Sequence, residues 1–409
     1  MLQPYQQSRP RSRAMDPIKI SDSERDCPAL VRDPRYRLLD HWRGVACLMV
    51  VLHHAGLSLV AEAAAASGSD AWLRKGVGEF LARMNLGVPL FFVISGYCIA
   101  ASSDSVRRRG GGAANFLGRR VWRIYPPYWA TITLLAVMTA SLDLTGLAWM
   151  HAGDHAPHFA SPGELDGVQW LGNLTLTEEW RPRFWSPPSS LIYTRVAWSL
   201  CYEEQFYFVC FLTLLIAPRR LYGILLGVTV GVFILRFLAV DVGALHRLDG
   251  LFPTLWHEFA VGMAVYWRLT VAKTLVAKRS VELCLFVLAI LGWLGYFPSR
   301  TPYSTAVAAM FGLTLIALRG WDERGDACAW LRPIRACGRR CYSIYLIHFP
   351  VVAFATQWFY ERGPTGFWLK FFVMVPILAG AGVAVSWLFF AIVERHFLNA
   401  PLRTRPKSP

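Results

Sequence analysis

Four groups of polar and ionisable side chains interrupt otherwise apolar stretches of this sequence, and each group has residue types that can do chemistry. The first is Asp40, Arg43, His53 and His54. An α-helix turns about 100° and rises about 1.5 Å per residue. Arg43 and His54 therefore share a face to within roughly 20° and stand roughly 16 Å apart along the axis, while His53 points about 80° away, toward a neighbouring helix. A guanidinium can hold an anion and an imidazole can move a proton. The second group lies in Trp198-Ser199-Leu200-Cys201-Tyr202-Glu203-Glu204-Gln205-Phe206-Tyr207. A carboxylate beside an imidazole sets its tautomer and raises its basicity, so Glu203 or Glu204 is the expected helper of His54. The third is Arg119, Arg120 and Arg123. Any one of these reads best as a topology charge, but together with Arg43 they would make a mouth that attracts phosphates. The fourth is Tyr342-Ser343-Ile344-Tyr345-Leu346-Ile347-His348, in which His348 serves structure about as readily as it touches a ligand.

The elements that must position these groups are membrane helices. Of the 409 residues 55% are hydrophobic, and they come in long runs such as 45–60, 221–240 and 371–393. A run of about 20 residues spans a hydrocarbon core about 30 Å thick. About ten such runs, centred near residues 50, 93, 131, 207, 231, 259, 288, 310, 350 and 382, predict an all-α polytopic bundle. Ionisable groups at membrane depth are costly unless they face the protein interior or a water-filled cavity. His54 rises from one surface and Glu203 descends from the other, and counting residues puts them at similar depth.

The formal charge is +15. The cations lie between the apolar runs and not on a soluble domain, which argues against nucleic acid. With ten crossings and a cytoplasmic N-terminus, the inner segments carry 30 Lys+Arg and the outer ones 10. Both termini are therefore expected in the cytoplasm. The division reads as a basic, disordered tail over 1–36, a membrane domain over 37–399 with an outer loop at 142–195, and a short tail over 400–409. None of the nine cysteines falls in an outer segment, so no disulfide framework is expected. The first run begins too far in for a cleaved signal peptide. Pro126 and Pro127 mark a helix start or kink. The outer loop holds His151, Asp154, His155 and His158, but no helix sets their geometry, so no metal is expected. Its Trp170, Trp180 and Trp185 suggest a surface for stacking sugars. Asn173 opens a glycosylation pattern of a kind frequent by chance.

Five motifs in order resemble the integral-membrane acyltransferase family, type 3, over nearly all of residues 37–399. Leu39-Asp40-His41-Trp42-Arg43-Gly44-Val45-Ala46 is similar to the family's opening, and Arg43 and His54 match its Arg, ten residues, His signature. Gly87 to Tyr97 resembles its second-helix motif, with Pro89 where Asp is frequent. Arg119 to Tyr128, Trp198 to Tyr207 (with Cys201 and Tyr202 replacing Ser and Val) and Tyr342 to Pro350 resemble the remaining three.

The resemblance implies O-acylation of a sugar or other hydroxyl acceptor, with acyl-CoA from the cytoplasm as co-substrate and no bound cofactor. The expected site has His54, Glu203 and Glu204 as catalytic residues. Asp40, Arg43, Arg119, Arg120, Arg123, Ser199, Tyr345 and His348 are the expected substrate contacts. A bacterial inner membrane is the expected location. A polar-solute transporter could use the same Arg, His and Glu, although the sequence has no internal repeat. A membrane sensor with a degenerate site is disfavoured by the intact Arg43, His54 and Glu203.

Overall fold

The computed structural model of the chain describes residues 36–184, 191–241, 248–297, 301–363 and 365–398. The two expected tails lie outside these residues, apart from Tyr36, as do Cys27 and Trp185. Among the described residues the chain is all helical, with no strand. In order the helices are α1 (Leu39–Ala55), α2 (Leu57–Ala64), α3 (Ala71–Arg83), α4 (Gly87–Arg108), α5 (Ala113–Leu144), α6 (Trp149–Ala152), α7 (Gly167–Leu174), α8 (Trp198–Ile216) and α9 (Leu221–Asp241). They continue with α10 (Trp256–Thr270), α11 (Leu275–Trp293), α12 (Ser304–Ala317), α13 (Asp322–Ala327), α14 (Arg332–Arg339), α15 (Cys341–Arg362), α16 (Phe367–Leu369) and α17 (Val375–Ile392).

The centre of each of the ten apolar runs read from the sequence falls in a helix, although the 45–60 run is broken between α1 and α2. Among the described residues five helical stretches are long and apolar enough to cross a membrane, and α1 with α2 makes a sixth if that pair, bent by 54°, counts as one span. The bend falls at Gly56, where the Leu81 side chain of α3 occupies the space a side chain at 56 would need. The stretch Ala71–Arg108 runs for 38 residues, about 57 Å at helical rise, so it outreaches a hydrocarbon core of about 30 Å. Its α3 part pairs with α2 as a hairpin at the His54 end of α1. Helix α5 runs unbroken through Pro126 and Pro127 and starts thirteen residues before Pro126, so the prolines do not begin a helix. Large apolar side chains such as Phe237, Trp293 and Phe372 are exposed on the outer faces of the bundle, where patches of this kind need an apolar partner.

The catalytic candidates sit in the core because α1 does. Helix α1 packs against α4, α14, α15 and α17. Helices α4 and α10 cross in backbone contact: the Gly96 side meets the Phe259 carbonyl, and the Gly262 side meets the Val93 carbonyl and the Tyr97 amide. At the Arg43 end Asp104 is buried and bonded to Arg107 at 2.6 Å, Arg108 at 3.1 Å and Tyr266 at 3.0 Å. A buried carboxylate is tolerable when its oxygens are paired in this way.

Candidate active site

Two cavities flank the polar face of α1. The first opens at the Arg43 end and is lined by Arg43, Arg120, Arg123, Ser199, Glu203 and Tyr345, with Cys98 and Cys341 beside Arg43 and with Val50, Val88, Phe91 and Phe92 deeper in. Arg43 donates to Asp40 Oδ1 at 2.8 Å and to Cys98 Sγ at 2.9 Å. The Arg120 guanidinium lies over the Tyr207 ring at 5.4 Å and the Phe116 ring at 6.0 Å. Tyr207 donates to Glu203 Oε2 at 3.0 Å. Ser199 and Tyr345 are bonded through their hydroxyls at 2.9 Å, and Tyr345 also donates to the Val196 carbonyl. Arg119 does not join this group, because it turns back to the Asn115 carbonyl at 3.1 Å. Asp40 reaches it only through Arg43. The cavity thus sets three arginines against one glutamate, with an apolar far end.

The second cavity lies at the other end of α1 and is lined by His54, Asp154, His155, Thr356 and the apolar Leu57, Phe349, Val352 and Ala353. The 154–157 segment forms one wall. Val50 and Tyr345, deep in the first cavity, each stand one helical turn from His54 and His348 respectively, about 5.4 Å along the axis. The histidine pair therefore stands between the two cavities.

His54 Nδ1 and His348 Nε2 are 3.0 Å apart, and His348 Nδ1 is 2.5 Å from the Ile344 carbonyl. A carbonyl only accepts, so His348 Nδ1 carries the proton and, in the neutral ring, Nε2 accepts. His54 must then donate from Nδ1, which leaves its Nε2 with the lone pair. Its ring packs edge-on against Phe349 at 4.7 Å. His53 faces away, as the helix angle requires, and bonds the Leu81 carbonyl at 3.0 Å.

The expected pairing of His54 with Glu203 or Glu204 does not form. Glu203 lies in the Arg43 cavity with Tyr207. Glu204 lines neither cavity, and its Oε1 is buried without a hydrogen-bond partner. Counting residues gave similar depths but could not say which way each side chain faces. The partner of His54 is His348, 294 positions away, and no local pattern could have shown that. Trp170 is turned inward and not presented to a ligand: it packs on Tyr193 at 5.0 Å and donates to the Pro162 carbonyl at 3.2 Å. Asn173 is buried and bonded to Gln169, Leu191 and Tyr193, so its glycosylation pattern is structural. Among the described residues no group of three or more His, Cys, Asp or Glu is arranged to hold a metal.

The family described as an acyltransferase domain matches residues 36–391. The chain belongs to acyltransferase family 3. This acyltransferase is 28% identical to BcsY of Komagataeibacter xylinus, named as a membrane-bound transacylase, over 91% of this chain and 86% of that one. It is 24% identical to YrhL of Bacillus subtilis, named as a peptidoglycan O-acetyltransferase, over 90% of this chain and 55% of that one. No solved structure matches. Taken with its apolar helices, the family identifies an integral membrane enzyme that transfers acyl groups other than amino-acyl groups.

Proposed function

We propose that this enzyme moves an acyl group, most simply acetyl, from cytoplasmic acyl-CoA to a hydroxyl of a carbohydrate-containing acceptor, with His54 as general base. The observation that carries the reading is the chain from the Ile344 carbonyl through His348 to His54, which leaves His54 Nε2 unprotonated beside a cavity. The name of BcsY supports acyl transfer at a membrane and that of YrhL supports O-acetyl transfer. The three arginines of the first cavity suit the phosphates of CoA, and its apolar lining of Val50, Val88, Phe91 and Phe92 suits pantetheine. Asp40 holds Arg43 in place, and Arg119 adds charge near the mouth without lining it.

In this reading the acceptor hydroxyl gives its proton to His54 Nε2 as its oxygen attacks the thioester carbonyl. The tetrahedral adduct collapses, the C–S bond breaks, and the proton passes to the leaving CoA sulfur. No acyl-enzyme is needed. The chain crosses the membrane ten times with both termini cytoplasmic, in a bacterial inner membrane, and residues 37–399 form the catalytic domain. The 30-to-10 division of cations between the two sides supports this orientation.

The test is acetyl transfer from radiolabelled acetyl-CoA in membranes that carry the enzyme. His54→Ala is expected to lower turnover by roughly 10²–10⁴-fold, the usual weight of a general base. Turnover near the unmodified rate overturns the assignment.

A further inference from the structure

We infer that the His54 cavity sorts acceptors by charge, and that Asp154 is the recognition residue that does so. The cavity admits an acceptor that offers N–H or O–H donors beside the reacting hydroxyl, such as a neutral or amine-bearing sugar, and rejects one that carries an anion there. This rests on the reading of His54 as the base.

Three observations lead to it. The ionisable groups of the cavity lining are His54, Asp154 and His155, with no lysine or arginine among them. Asp154 is therefore the one lining group with a full charge whenever the histidines are neutral. It is exposed and has no hydrogen bond or ion pair among the described residues. Other acids are engaged: Asp143 with His151 and Ser161, Glu62 with Lys370 and Tyr360, Asp70 with Arg74 and Trp368, and Glu361 with Gln357. Lys370, the nearby cation, is held by Glu62 at 2.6 Å.

The position of Asp154 is also set from both sides. Gly153 lies flat against the Gln357 side chain, with no room for a Cβ. Gln357 Oε1 accepts from the His155 amide at 3.1 Å. The His155 ring stacks on Tyr360 at 4.6 Å and 18°. The segment is clipped to α15, so the carboxylate stays over the cavity that contains His54. The first cavity, with three arginines, has the opposite character and attracts an anion. Each substrate is thus discouraged from the other's entrance.

The test uses the full chain in detergent with Ala61→Cys, an exposed position in the same lining outside the catalytic machinery. The parent protein supplies the background from native thiols. Rates are measured with a cationic and an anionic methanethiosulfonate of similar size. Relative to Asp154→Asn on the same background, the intact cavity is expected to favour the cationic reagent by about tenfold, and Asp154→Lys to favour the anionic one. Glucosamine is expected to slow modification by an uncharged methanethiosulfonate, whereas glucuronate at the same concentration does not. A ratio unchanged by Asp154→Asn, or protection by glucuronate equal to that by glucosamine, overturns the inference, and so does no protection by glucosamine. Because these rates do not require turnover, they separate failure of the inference from failure of His54 as base, which the His54→Ala assay reads alone. Unfolding midpoints of the variants within a few degrees of the parent show that the fold is intact.

Discussion

At the scale of single residues, His54 and His348 act as a pair with unequal duties. His54 faces the cavity, and His348 fixes which nitrogen of His54 holds the lone pair. Removing His348 leaves the Nδ1–H of His54 without its acceptor and frees the ring to hold the wrong tautomer. His348→Ala is expected to lower kcat by about 100-fold while the acetyl-CoA KM changes by less than about threefold. His348→Gln, whose Oε1 can accept from His54, is expected to recover part of that loss. The double variant His54→Ala/His348→Ala should be no slower than His54→Ala alone, because the two act on one proton transfer. Additive losses measured in the same membrane assay would assign His348 an independent role. Arg43 and His54 were legible from spacing because helix geometry is rigid over eleven residues. The His54–His348 bond was not, since it depends on how α1 packs on α15. Glu203 was legible as a polar group at membrane depth but its place in the lining of the Arg43 cavity was not, because the facing of α8 is set by its neighbours.

At the scale of elements, α8 with Ser199 and Glu203 is recognisable as a membrane helix, but three other helices that carry site residues are not. Helices α5 and α15 are not among the five stretches apolar enough to cross, and α1 qualifies only with α2. They carry Arg119, Arg120 and Arg123, then His348, and then Arg43 and His54, and α1 with 17 residues is short for a span on its own. Close packing compensates where polarity is high. At the α4–α10 crossing, a Cβ on Gly262 would meet backbone atoms of Val93 and Tyr97, which cannot rotate away. Gly262→Ala is expected to destabilise the fold by about 1–3 kcal/mol, the usual cost of overpacking. Unfolding in mixed detergent against the parent protein measures it, and an unchanged midpoint would show that the crossing is loose. The 142–195 segment is held differently, by polar contacts. His151, buried, bonds Asp143 at 2.7 Å and the Phe159 carbonyl at 2.8 Å, and Ser161 donates to Asp143 at 2.6 Å. The bonds from Ser161 and His151 hold the Asp143 carboxyl below the usual carboxylate range. A depressed folded pKa stabilises above the unfolded value, about 3.9, and that contribution is lost as pH falls through the folded one. Asp143→Asn should therefore lower the thermal midpoint at pH 7, and the gap to the parent should close below about pH 4. Sequence composition marked this segment as long and aromatic. Its folding on Asp143 and Phe159 needed the tertiary structure.

At the scale of the whole molecule, the polar face of α1 joins two entrances of opposite character. One has three arginines and one glutamate, and the other has a single unpaired carboxylate. Ten crossings from a cytoplasmic N-terminus, as proposed above, would divide the chain's cations in the same sense, with 30 of 42 on the side where α1 begins. An enzyme arranged this way need not carry CoA across the membrane, because only the acyl end has to pass from Val50 and Tyr345 to the histidine pair, about one helical turn. The orientation then predicts sidedness. Sealed inside-out vesicles supplied with radiolabelled acetyl-CoA from outside expose the Arg43 entrance and should label acceptor. Right-side-out vesicles present the His54 entrance to the same donor and should stay near background until the membrane is permeabilised. Raising salt should weaken the donor KM in inside-out vesicles, since phosphates held by arginine are screened. Equal labelling in both preparations would mean that donor reaches His54 from either side, and the division of labour between the two cavities would fall with it.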